Sequence, residues 1–403
     1  MTNHQSKIEK LIIEHCPNGV EFKELGKCAL IKRGRRVTKS ELSPEKKYPV
    51  YSGGVTPMGY FGKNNQSENT ITVVKYGTAG FVNFITEDFW ANDVCYCIKP
   101  GEKLNNKYLF FVLKGKQYSI QSQATNAIPA HLPTEAIKSI KIPIPPLPIQ
   151  QEIVKILDSF TELEAELEAE LEARKKQYEY YREQLLITNY ELGITNEKVE
   201  WKTLGEIGEF IRGNGLQKKD FTKTGVGCIH YGQIYTYYGT FADKTKSFVS
   251  PELAKKLRKA QKGDVLIVGV SENIEDVCKP LGWLGDEICI SGDMFAFRHN
   301  QNTKFITYLL QTTNFHKYKE RYAQGAKVTR VKTSKLLDYK IPIPSLSEQK
   351  RIVSILDKFD ALVNGDSGSG SGMTGSLPAE IKARRQQYEY YRNKLLTFTP
   401  LDK

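Results

Sequence analysis

The segment KIPIPPLPIQQEIVKILDSF at 141–160 returns as KIPIPSLSEQKRIVSILDKF at 340–359, 199 residues later. No other feature limits the fold as much. Each proline fixes its own φ and biases the residue before it towards extended geometry, so IPIP is extended in both copies. The residues that follow carry apolar positions at helical spacing: Ile153, Leu157, Phe160, Leu163, Leu167 and Leu171, then Tyr178 and Leu185 at sevens. The second copy has Ile352, Leu356 and Phe359, then Ile381, Tyr388 and Leu395. An extended stretch running straight into a long amphipathic helix, twice over, makes the chain a pair of related halves.

The correspondence extends in both directions. ARKKQYEYYREQLL at 173–186 returns as ARRQQYEYYRNKLL at 383–396, and GVEFKELGKCALIKRG at 19–34 resembles KVEWKTLGEIGEFIRG at 198–213. Each half reads as a start signal, about 120 divergent residues, an IPIP segment, a helix and a QYEYYR end. Two such helices pack most simply on each other as a long antiparallel pair. The alternative is one separate surface helix per domain, but an isolated polar-faced helix has little to stabilise it. The copies differ at mid-helix. The first has three ELEA tetrads at 162–173; the second has NGDSGSGSGMTGSLPAE at 364–380. Alternating Gly and Ser behaves as flexible coil, so the second helix is interrupted there, and Pro378 suits the first turn of its restart. SGSGSG has the look of an engineered linker.

The regions between the repeats, roughly 19–140 and 198–339, read as mixed α/β. NTITVVKYG, DVCYCIK, GDVLIVGV and MFAFRH are strand-like; NKYLFFVLKGKQYSIQ and TKFITYLLQTTNFHKYKERYAQ are helix-like; glycine turns such as YSGGVTPMGYFG separate strands. The net charge is +12, and 161–173 holds six glutamates with no basic residue, which leaves +18 on the rest. A basic body with one acidic rod suggests a polyanionic partner; the alternative is a merely lysine-rich protein. No apolar run approaches the ~20 residues of a membrane span, and MTNHQSKIEK lacks the shape of a secretory signal. Seven scattered cysteines show no metal spacing, and Cys95 and Cys97 would share one face of a strand. Reduced thiols in the cytoplasm are expected. Neither a FxGxG plus [DN]PP[YF] pair nor a GxxxxGK[ST] loop is present, which argues against a methyltransferase or a translocating motor.

The two IPIP-x-L-x-x-Q segments, the helices after them, the ELEA tetrads and the paired QYEYYR ends together resemble the specificity (S) subunits of type I restriction-modification systems. YPVYSGGVTPMGYFG at 48–62, GDVLI at 263–267 and QGAKVTRVKTSKLLDYKIPIP at 324–344 are similar to stretches of such subunits. The resemblance covers essentially the whole chain. It implies an α+β architecture: two similar globular α/β target recognition domains at 1–145 and 196–344. A long antiparallel two-helix spacer at 146–195 and 345–403 would separate them, with the Gly/Ser interruption at 365–376. It implies that each domain reads one half of a split, asymmetric double-stranded DNA site and that the chain itself is not an enzyme. Two methyltransferase subunits and restriction subunits would be the partners. S-adenosylmethionine, ATP and magnesium would serve those partners, with no cofactor or metal bound by this chain. One tetrad is about one turn, roughly 6 Å of helix. At about 3.4 Å per base pair, gaining or losing a tetrad should change the unread gap by roughly one or two base pairs. ELEA is also simply a good helix former.

Reading DNA needs donors and acceptors for base edges and cations for phosphate. The first half offers Arg33, Arg35, Arg36 and Lys39 around Gly34; the second offers Arg212, Asn214, Gln217, Lys218 and Lys219 in the matching place. Tyr51 and Ser52 in YSGG align by order with His230, Tyr231 and Gln233, where a β-turn and a core histidine are the plainer readings. Lys75, Thr78 and Asn83 fall in one polar loop, Ser271 and Asn273 in its counterpart. Lys327, Arg330 and Lys332 are placed to grip phosphate, where the first half has TNAIPAHLP, neutral but for His131. Tyr235, Tyr237 and Tyr238 could stack on a base, although packing explains them as well. Two other classes stay open at this point. A stand-alone nuclease would use carboxylates such as Asp264, Glu272, Asp276, Asp286 and Glu287; a coiled-coil adaptor would leave the basic body unexplained.

Overall fold

The computed structural model describes residues 2–125, 127–194, 199–325, 328–365 and 376–401. It divides into two compact units, Met1–Ala165 with Arg384–Lys403, and Glu166–Ala383. Each unit is α+β.

In the first unit the strands Ala29–Arg33, Cys95–Pro100, Thr70–Val74 and Val82–Ile85 form an antiparallel sheet in that order. A smaller sheet runs Tyr60–Phe61, Tyr48–Tyr51, Trp90–Ala91. Ile71, Val73, Tyr96 and Ile98 of the first sheet pack with Tyr108, Leu109 and Val112 of the helix Asn106–Gly115. Cys95 and Cys97 do share a face: both are buried with Ile85, Phe89 and Ala91, and burial pushes both thiols up to about 12. All seven cysteines are free.

In the second unit the main sheet runs Gly208–Arg212, Met294–His299, Val265–Val268, Pro280–Trp283, Phe241–Ala242. A second sheet holds Ser247–Val249, Val226–Ile229, Ile288–Ile290 and Lys259–Ala260. The expected long helix at 303–324 is two helices, Thr303–Leu309 and Thr313–Tyr322. Thr312 breaks it, because its hydroxyl caps the Phe315 N–H of the second helix.

The repeated segments close each domain on itself. The IPIP stretches are strands: Lys141–Pro143 pairs antiparallel with the start signal Phe22–Glu24, and Lys340–Ile343 pairs with Glu200–Thr203. The first turns of the following helix are then core of the same domain. Ile142, Ile153 and Leu157 are buried in one cluster; Ile341, Ile352 and Leu356, at the equivalent places, are buried in the other. Lys107–Asp158 and Lys304–Asp357 are matching ion pairs at 2.7 and 2.6 Å that tie domain helix to exit helix.

The first long helix is Leu147–Glu183, extended by a wider turn at Gln184–Thr188. The second copy comprises Leu346–Asn364 and Leu377–Leu395, with Pro378 in the first turn of the restart as expected. The Gly/Ser residues 366–375 lie outside the described residues. Within the first unit, Phe160 stacks on Tyr391 and meets Tyr388 edge-on, and Glu164 pairs with Arg385. Within the second, Phe359 stacks on Tyr178 and Tyr181. The QYEYYR end of each copy thus packs on the phenylalanine of the other.

Candidate nucleic-acid interface

In the first unit three loops singled out in the sequence come together. Thr78 donates from both its N–H and its hydroxyl to Gly53 O, at 2.9 and 3.0 Å, which joins the YSGG turn to the 75–80 loop. Tyr76 bridges to His131 and stacks on its ring, and Leu132 N–H donates to Lys75 O. Tyr51 is half-buried, edge-on to Phe89; Ser52 beside it is half-buried, and its carbonyl accepts from the Cys95 thiol. Lys75 is half-buried over the rings of Tyr76 and Tyr96. Asn83 stands apart: it lies in the strand Val82–Ile85, and its Oδ1 accepts from Phe84 N–H.

The basic start of each domain shows a shared device. The Arg33 guanidinium donates to Asp93 O at 3.2 and 3.0 Å, and Arg212 Nε donates to Gly292 O at 3.0 Å. The glycine after each is needed for close approach to protein backbone. A Cβ on Gly34 would lie 2.2 Å from Ala91 O, and one on Gly213 would lie 2.1 Å from Ser291 O. Arg36 and Lys39 are exposed. Arg35 is exposed too, while its backbone is fixed by Ala91 O and Trp90 Nε1.

In the second unit the same two loops converge as in the first. Val270–Ser271 pairs with Thr329–Arg330, as Tyr76 pairs with His131. Arg330 and Lys332 are exposed there; Lys327 lies outside the described residues. Asn273 holds Asp276 through both amide atoms, and the Ser271 hydroxyl accepts from Asn273 N–H. Gln217, Lys218 and Lys219 are exposed on a short capped turn. Asn214 is spent on Lys256 O and Arg258 N–H, at 3.0 and 2.6 Å. Gln233 is buried, and its amide is spent on His230 N–H and the Ser247 hydroxyl. Tyr231 is half-buried, its N–H bound to Ser291 Oγ. His230 is the core histidine of the plainer reading: burial first, and then Lys218, hold its pKa below the ordinary value. Tyr238 is core and Tyr235 is tied to Val270 O, so packing accounts for both, whereas Tyr237 is exposed beneath Lys246.

Sequence reasoning missed one feature. A groove of about 550 Å³ on the first unit is lined by Lys32, Arg33, Arg35 and Lys99 with Asn64, Asn65, Gln66 and Trp90. Lys99 faces Leu30 across strands and lies 67 residues along the chain from Lys32, so only strand pairing assembles the patch.

The family model described as the type I restriction modification DNA specificity domain matches residues 17–173 and again 196–366, once per half. The chain belongs to this family. A protein of Haemophilus influenzae named as a type I restriction enzyme specificity subunit is 32% identical over 99% of this chain and all of its own length. A type I restriction enzyme specificity subunit of Escherichia coli is 36% identical over 65% of this chain and 63% of its own. Among solved structures, the type I S subunit of M. genitalium superposes with a TM-score of 0.57 at 18% identity, over 94% of this chain and 96% of that one. A second, from work on assembly of the type I R-M system, gives 0.56 at 15%, over 94% and 98%. At those identities the likeness is one of fold.

Specificity subunits recognise DNA and have no catalytic activity of their own, which places this chain outside the enzymes. Three of the carboxylates weighed for a nuclease have separate structural tasks. Asp264 holds Arg298, Glu287 pairs with Lys259, and Asp276 is bound to Asn273. Among the described residues no helix is long and apolar enough to cross a membrane.

Proposed function

We propose that this specificity-family chain reads a split, asymmetric DNA site in the cytoplasm, one half per domain, and carries two methyltransferase subunits. These methylate adenine N6 with S-adenosylmethionine. Restriction subunits, working with ATP and magnesium, join to cut unmethylated DNA. The carrying observation is the double match: one frame built twice around different fillings. Equal frames offer equal seats to two copies of one partner, while unlike fillings suit unlike half-sites.

The spacer is an antiparallel helical pair. Support comes from contact order: Phe160 meets Tyr391 and Tyr388, Glu164 meets Arg385, and Tyr178 and Tyr181 meet Phe359. One number rises as the other falls. The exposed cations at the converging loops, Arg330 and Lys332, suit phosphate, as do Arg36 and Lys39 at the domain start.

The test is a genome-wide map of N6-methyladenine with this gene present and deleted, beside its methyltransferase. Loss of one split motif, methylated on both strands, is expected. An unchanged map when the gene is deleted would sink the reading.

A further inference from the structure

Among the described residues, the strand pairs that build the groove on the first unit carry different groups in the second. Strand pairing places Leu30 opposite Lys99 and Lys32 opposite Cys97; the equivalent pairs in the second unit are Glu209 opposite Arg298 and Ile211 opposite Ala296. Arg298 there is locked in a bidentate pair with the buried Asp264, at 3.2 and 3.0 Å. Asn214, in the place of Arg35, is consumed by the 256–258 backbone. Arg212 keeps the place of Arg33, but the positions of Lys99 and Arg35 hold a neutralised arginine and an uncharged asparagine in the second unit. Four cations line the groove and no carboxylate does.

Its far wall is equally specific. Asn65 gives both amide atoms to the backbone of Ala91, at 2.7 and 2.9 Å, which fixes the 64–66 turn. Gln66 pairs through its backbone with Phe89. Asn64 and Gln66 flank Asn65 at this turn, and both line the groove. The Gln66 side chain makes no hydrogen bond among the described residues, and Asn64 only a 3.5 Å contact to Gln66 O. Free amides beside unneutralised cations are the groups that read adenine edges and grip phosphate.

We propose that this groove is where the first domain holds its half-site, with Asn64 and Gln66 reading base edges and Lys32, Arg35 and Lys99 holding the strand's phosphates. The two domains then present different groups to DNA at matching places of one fold. The inference rests on the DNA-reading function proposed above, and the test separates the two.

Full-length N64A/Q66A, co-expressed with the methyltransferase subunit, is mapped by single-molecule sequencing. Binding of motif-bearing and scrambled duplexes is followed against salt. The expected map keeps one half of the motif intact and becomes degenerate in the other, with discrimination there falling on the order of tenfold to a hundredfold. Lys32→Ala and Lys99→Ala should keep the motif and weaken all duplexes alike, each reducing the slope of log K against log salt by about 1. The isosteric N64D/Q66E pair guards against misfolding; it should abolish methylation of the motif while the melting curve stays that of the wild type. A wild-type motif with all four variants unchanged in motif and salt slope overturns the groove assignment alone. A wild-type complex with no motif overturns DNA reading itself.

Discussion

Gln150 and Gln349, the glutamines of IPIP-x-L-x-x-Q, are fully buried, and each makes three hydrogen bonds. Gln150 accepts from Asn105 N–H and donates to Lys103 O and Pro145 O. Gln349 accepts from Asn302 N–H and donates to Pro344 O and Gln301 Oε1. Each clamps the chain's exit from its domain to the cap of the domain's own helix. Replacing Gln150 by Leu leaves three backbone groups without this partner, of which Pro145 O is buried while those of Asn105 and Lys103 are partly open to water, at ~1–3 kcal/mol for a buried group. Urea unfolding should show a loss of about 3 kcal/mol for Gln150→Leu; a loss below about 1 kcal/mol would show that water replaces the amide. The motif was legible in the sequence, but its purpose was not, since the partners lie up to 48 residues away. The same holds for the paired RG motifs. Arg33 and Arg35 look alike in sequence and both line the groove, yet the Arg33 guanidinium is also bonded to Asp93 O. Arg33→Ala should therefore lower the melting temperature as well as DNA affinity. Arg35→Ala should lower affinity alone, and equal melting losses for the two would contradict this division.

At the scale of elements, composition and periodicity went far. Thr70–Val74, Cys95–Pro100, Val265–Val268 and Met294–His299 are strands where the apolar runs stood, and the helices after both IPIP strands bury their apolar stripes. What the pattern left open is what each helix faces, because an apolar stripe does not name its partner. In the second unit that partner includes a polar seat. Asp360 is buried and accepts from Asn364 at 2.9 Å, and from Tyr178 and Thr240 at 3.4 Å. Burial raises its pKa, Asp357 adds to the rise, and the three hydrogen bonds oppose it. The first copy has Thr161 in this place. With a raised folded-state pKa, the carboxyl is neutral in both states below its ordinary value of about 4. As pH rises past that, the unfolded chain ionises first and stability is lost until the folded group ionises too. Asp360→Asn should match the wild type below about pH 4, the ordinary aspartate pKa, and exceed it above that by a margin that grows until the folded carboxyl ionises and then levels off in thermal melts. An advantage that stays constant with pH, or a deficit at neutrality, would rule out the desolvated carboxylate as the cause.

The whole molecule is two domains by sequence and two units by packing, and these do not coincide. A linear reading places each spacer helix after its own domain. Packing gives the end of each helix to the other unit, so the first unit takes in Arg384–Lys403 and the second takes in everything from Glu166. No local pattern carries that exchange; it depends on Phe160 and Phe359 each finding the tyrosines of the other copy. The boundary between units falls at 165/166, between the first and second ELEA tetrads. The glutamates around it are mostly exposed, while Leu167 is buried and Leu163 and Leu171 are half-buried. Four residues are close to one turn of 3.6, so a whole tetrad preserves the apolar stripe and a fraction of one rotates it. Deleting 166–169 should leave a folded chain whose half-sites are unchanged and whose unread gap is shorter by one or two base pairs, from roughly 6 Å of helix at about 3.4 Å per base pair. Deleting only two residues turns the stripe by about 200° and should abolish methylation at any spacing. The motif map reads both. An unchanged gap after loss of the tetrad would mean that the helix run does not set the distance between the half-sites.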